Sequence, residues 1–122
     1  MSRMDIRTML IFAEEMPGDP RVADYGALVA AEARHSGTVL GDDIYPTLFA
    51  KAAALLHGLL RVEALDTRNR TFAWVITLRY LALNGAPVPK VDPAIAVDTL
   101  EATQRGDRTV HELAAWLRSV SD

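Results

Sequence analysis

The sequence contains no cysteine, which removes disulfides and thiolate metal sites from consideration and gives no sign of export. It has no surplus of positive charge either. Thirteen Lys and Arg against 16 Asp and Glu leave a net charge of −3, which argues against a nucleic-acid binder, a class that usually carries a basic face. The first residues, Met1-Ser2-Arg3-Met4-Asp5, lack the apolar run of a signal peptide. No apolar run is long enough to cross a bilayer: Thr71 to Leu83 is 13 residues, where about 20 are needed. Repeats and low-complexity tracts are absent as well. The expectation is a cytoplasmic protein without membrane or nucleic-acid partners.

Half of the residues are hydrophobic, which excludes a disordered chain. A length of 122 residues suits one domain, 1–122, around one core. From Leu65 to Gly85 a polar, cationic loop runs into a segment that is apolar on almost every side. Such a helix is expected at the centre of an all-helical bundle. Asp66 or Thr67 is its predicted N-cap and Gly85 its end, with Pro87 and Pro89 preventing continuation. Trp74, Ile76 and Leu78, on different sides of it, are all expected to be largely buried.

Taken in order, Asp5 to Glu15 predicts a first helix with Ile6, Met9, Leu10 and Ala13 inward. Asp19-Pro20 predicts the opening of a second, with Val22, Tyr25, Val29 and Ala33 on one face, ending at His35-Ser36-Gly37. Thr38-Val39-Leu40 lies between glycines and reads as an extended segment, a small hairpin or a plain loop. Asp42 or Asp43 is the predicted cap of a third helix, with Pro46 in its first turn. Its apolar stripe holds Tyr45, Leu48, Phe49, Ala52, Leu55, Leu56, Leu59 and Leu60, and Lys51 lies off it. Asp92-Pro93 opens a fifth helix, burying Ile95, Ala96 and Leu100 and stopping at Gly106. Thr109 and Glu112 form a capping box for the last, with Val110, Leu113, Trp116, Leu117 and Val120 inward. The sum is an all-α bundle of about six helices with at most one short extended piece, 38–40.

Three features offer chemistry. A helix N-terminus preceded by Arg68 and Arg70 is a candidate anion site, and arginine matches phosphate bidentately. The plainer alternative is that both arginines are exposed or paired, for example with Asp66 or Glu63. His35, His57 and His111 have no metal-ligand partner at helical spacing and read as surface residues. Glu14-Glu15 and Asp42-Asp43 are neighbours that do not face each other on a helix, and read as solvated faces or caps.

The runs Asp42-x-x-Tyr45-Pro46-Thr47-Leu48-x-x-Lys51-Ala52-Ala53-Ala54-Leu55-Leu56-His57, Asp66-Thr67-Arg68-Asn69-Arg70-Thr71 and Leu81-x-Leu83-Asn84-Gly85 closely resemble Doc toxins of the Fic/Doc family. So does the ending, an Asp-Pro-opened helix, Gly106 and a Thr-x-x-Glu-opened helix. The likeness runs from about Asp24 to Val120. It implies the Fic/Doc fold and a core motif H-x-[FL]-x-D-[GA]-N-K-R at the start of the central helix. There the histidine is general base, the acidic residue orients groups and can hold Mg²⁺, and the last residues bind phosphate. It also implies ATP as substrate, a threonine of elongation factor Tu as target, and a Phd antitoxin as silencing partner. In the wider family a short strand before the motif, here Thr38, Val39 and Leu40, holds the target by β-addition.

Carried residue by residue, Asp66 and Arg70 match this motif. The histidine position is Val62, which cannot take a proton, and the aromatic or leucine position is Ala64. Thr67, Arg68 and Asn69 replace the small residue, the asparagine and the lysine of the phosphate loop. Losing a positioned general base typically costs ~10²–10⁴-fold in rate. Three readings result: a Doc-lineage pseudoenzyme that acts by binding, an active toxin with Glu63 or Asp66 as substitute base, and a plain interaction module such as an antitoxin decoy. No metal-ligand set of the protein's own is expected.

Overall fold

The computed structural model describes residues 1–121. Six helices occur in the order α1 (Ile6–Glu15), α2 (Tyr25–Ser36), α3 (Leu48–Arg61), α4 (Asn69–Leu83), α5 (Pro93–Gln104) and α6 (Val110–Val120). Between α2 and α3 lies one antiparallel hairpin, β1 (Thr38–Val39) and β2 (Asp42–Asp43). The all-α expectation therefore holds.

The helix surrounded on all sides is α3, which packs against α2, α4, α5 and α6. Seven of its apolar residues, Ala52 to Leu56 with Leu59 and Leu60, are buried. Helix α4, expected at the centre, lies beside α3 and α1 instead. Ile76 is fully buried, but Trp74 and Leu78 are only half-buried and Leu83 is exposed. Composition misleads here because α4 is apolar by its large residues. The small residues of α3 let neighbours close in from every side: Gly58 of α3 stands against Ala31 of α2.

Three helix starts agree with the local signals. Asp5 caps α1, Asp92 caps α5 with Pro93 following, and Thr109 and Glu112 form a complete capping box on α6. Two do not. Helix α2 begins at Tyr25 under an Asp24 cap, not at Pro20, because residues 21–24 bond to the loop after α3. Its buried face is consequently Ala27, Leu28, Ala31 and His35, while Tyr25, Val29 and Ala33 are exposed. Helix α3 is capped by Thr47, whose hydroxyl accepts from the Ala50 N–H at 3.1 Å. Asp42 and Asp43 are drawn instead into β2, opposite Val39 and Thr38.

Three further side chains differ from their expected environment. Ile95 of α5 is exposed, since Ala96, Leu100, Ala102 and Thr103 form the inward face. Lys51 is buried and reaches Asp43 at 3.1 Å. His35 is fully buried and accepts the Met4 N–H on Nε2 at 3.0 Å. Asn84 fixes the same N-terminal segment, accepting from the Ser2 N–H at 2.7 Å and donating to the Ser2 carbonyl.

Candidate functional site

The site forms where α3 ends. Val62 is the C-cap of α3 in extended backbone, and residues 63–68 lead into α4. Ala64 and Leu65 are buried, and Leu65 bridges to Val22. The Ala64 carbonyl accepts from the N–H groups of Ala23 and Asp24, and the Asp66 N–H donates to Arg21. Asp66, one of two predicted caps of α4, does not cap it: its Oδ1 accepts the Arg21 N–H at 2.9 Å. Thr67 does not cap it either. The N-cap is Arg68, in the left-handed region at φ 58°, without a side-chain cap bond.

Asn69 holds the loop from within. Its Oδ1 accepts from the N–H groups of Ala64 and Leu65 at 3.0 and 3.2 Å, and its Nδ2 donates to the Leu59 carbonyl at 2.8 Å. The side chain is buried, so its polar atoms serve the fold. Arg70 turns toward α5, donating to Glu101 at 3.1 Å and Gln104 at 3.3 Å. The anticipated pairing of the arginine is thus real but with α5, not with Asp66 or Glu63. Nothing local in the sequence signals Glu101 or Gln104, which lie more than thirty positions away. Arg68 and Thr67 are exposed, with the Arg68 stem beside Gly18.

Glu63, Asp66, Thr67, Arg68, Arg70 and Gln104 line a cavity of about 230 Å³ at the N-terminus of α4. The arrangement offers the uncapped first-turn N–H groups, one exposed guanidinium, one guanidinium shared with a carboxylate, and the Asp66 carboxylate. No histidine lines it. His57 sits on α3 with Nδ1 3.0 Å from the Arg34 guanidinium, and burial and that charge hold its pKa below the ordinary value. His35 is buried under the N-terminal segment, and His111 is exposed on α6. Val62 is half-exposed on a larger groove of about 410 Å³ between α2 and α3, lined by Gly26, Ala30, Arg34, Gly58 and Arg61.

Thr38 and Val39 form β1, and Leu40 belongs to the turn rather than to the strand. Leu40 and Gly41 both have positive φ, 52° and 84°, the signature of a type I′ two-residue turn. Such a turn closes on a hydrogen-bonded pair, here Val39 with Asp42, and the Ile44 N–H to Gly37 carbonyl bond marks the next one. Antiparallel pairs alternate, so the outward N–H and C=O of β1 belong to Thr38.

Among the described residues no group of three or more His, Cys, Asp or Glu converges as a metal cage. Magnesium needs only one or two carboxylates when it arrives with phosphate oxygens, and the second oxygen of Asp66 fits that role. Among the described residues no helix is long and apolar enough to cross a membrane.

No protein-family model matches the chain. Toxin Doc of Mycolicibacterium smegmatis is 40% identical over 101 residues, which cover 82% of this chain and 78% of that protein. With that identity over most of both chains, the protein belongs to the family of Doc toxins.

Proposed function

We propose that this protein is a Doc-lineage member of a toxin–antitoxin pair whose transfer site is degenerate and which acts by binding, in the cytoplasm. The observation that carries the reading is the side chain at the base position. Val62 has no proton acceptor, and none of the three histidines lines the loop cavity. The phosphate-side positions add to it: Asn69 is committed to the loop backbone, and Arg70 is shared with Glu101. What the loop retains is an anion-binding character, from Arg68, Arg70 and the N-terminus of α4. A phosphate-bearing ligand such as ATP, with Mg²⁺ on Asp66, is the class that suits it. A Phd-like antitoxin is the partner the lineage brings, and β1 is the edge that pairs with an extended peptide. Elongation factor Tu is the target to test.

Expression of the unmodified protein in a bacterium is expected to leave growth unaffected, and labelled ATP to give no transfer to elongation factor Tu above background. Growth arrest abolished by Arg70→Ala would overturn the degenerate reading and favour an active site using Glu63 or Asp66, both of which line the cavity. Calorimetry with ATP, with and without Mg²⁺, measures the binding side directly. Thr38→Pro removes the one outward donor of β1 and is expected to abolish peptide binding with the far-ultraviolet circular dichroism unchanged. Unaltered affinity for the partner peptide would remove β1 from the account.

A further inference from the structure

At the other end of α4 from the loop lies a second polar cavity. It measures about 190 Å³ and is lined by Arg3, Ser36, Asp43, Lys51 and Tyr80, with Met1 at its edge. The Lys51 side chain is 7% exposed and gives one of its three donors to Asp43 at 3.1 Å. Asp43 is 47% exposed on its side chain, so water screens its charge far better than that of the ammonium. Tyr80 is 1% exposed overall, with its ring edge-on to His35. Its hydroxyl has no hydrogen-bond partner among the described residues, yet no buried polar atom is left without one, so that hydroxyl opens into the cavity. Burial and the nearby Asp43 push the Tyr80 pKa up to about 12, which keeps the phenol a donor.

Two of the Lys51 donors and the Tyr80 hydroxyl converge here without an acceptor of their own, Asp43 being the one carboxylate that lines the cavity. Ser36 already donates to the Glu32 carbonyl, and Arg3 at the rim lies 3.7 Å from Glu32. His35 adds no charge, because burial lowers its pKa. A single water occupies about 30 Å³, so the cavity has room for a polyatomic ligand.

We propose that this cavity is a binding site for a small free oxyanion, held by the Lys51 ammonium and the Tyr80 hydroxyl, separate from the loop at Asp66–Arg70. The ligand class follows from the donor set: a buried, incompletely neutralised cation beside a phenolic O–H selects a group rich in acceptor oxygens. The eleven residues from Tyr80 back to Arg70 put the two sites about 15 Å apart along α4. The site does not depend on the transfer chemistry.

The test is a ¹H–¹⁵N titration of the full chain with sodium phosphate and, separately, sodium acetate, at ionic strength held constant with chloride. Saturable shifts at Ser36, Asp43 and Ile44 are expected with at least one of the two anions. Phosphate alone identifies a tetrahedral ligand, and acetate alone a carboxylate. Tyr80→Phe keeps the ring and is expected to weaken binding at least fivefold with an unchanged melting temperature. Lys51→Met is expected to abolish it. Arg68→Ala removes a cation of the loop and is expected to leave these shifts unaltered. Shifts confined to residues 66–71, non-saturating shifts, or Tyr80→Phe binding as tightly as the parent would each overturn the assignment.

Discussion

Asn69 is where residue type and residue role part company. The resemblance to Doc toxins places it among the phosphate-loop positions, whereas its amide ties Leu59, Ala64 and Leu65 together. Asn69→Ala is expected to cost ~2–3 kcal/mol by urea unfolding, because buried backbone groups lose their partners. Asn69→Lys is expected to cost at least as much, which limits what restoring the family motif can achieve: Val62→His, Thr67→Gly and Arg68→Asn together are the variant to test for regained transfer. Arg68 shows the opposite sign. At φ 58° a residue that carries a Cβ is strained, so Arg68→Gly is expected to raise stability by up to ~1 kcal/mol in the same assay. Neither effect was legible locally. Asn69 reads as a phosphate-loop position until the chain folds back upon it, and positive φ leaves no mark on an arginine.

At the level of elements, capping chemistry is readable wherever the cap and its helix are contiguous and no other segment competes, as at Asp92 and Thr109. It fails at Asp19-Pro20, where bonds to residues 64 and 66 claim the backbone that follows, and at Asp42-Asp43, where the local hairpin with β1 does. The relative standing of α3 and α4 is not legible in the same way, since apolar periodicity reports what can be buried, not how many neighbours arrive. The difference is measurable. Leu56 of α3 is fully buried, and Leu56→Ala is expected to cost ~3–5 kcal/mol. Trp74 is half-buried against Trp116, with ring centroids 5.7 Å apart, so Trp74→Ala is expected to cost only ~2–3 kcal/mol despite the larger deletion. The reverse order in chemical denaturation would return α4 to the centre.

For the whole molecule, the two non-surface histidines set a pH dependence. Burial lowers both His35 and His57 below the ordinary value near 6.5. Each therefore binds protons more readily when unfolded, and stability is full above about pH 6.5 and falls as the pH drops below it. His35→Gln is expected to flatten that slope between pH 7 and 5 in thermal melts, and an unchanged slope would show that His35 does not contribute. Fold class was legible throughout because six apolar stripes and their breakers repeat the same message, while the site was legible only as a loop of charge. The placement of α3 has a kinetic consequence too. It touches both of its sequence neighbours, α2 and α4, so a nucleus of these three helices closes only short loops, whereas α6 must return across α4 and α5. Leu56→Ala is therefore expected to slow refolding, and Leu117→Ala, on α6, chiefly to accelerate unfolding in stopped-flow experiments.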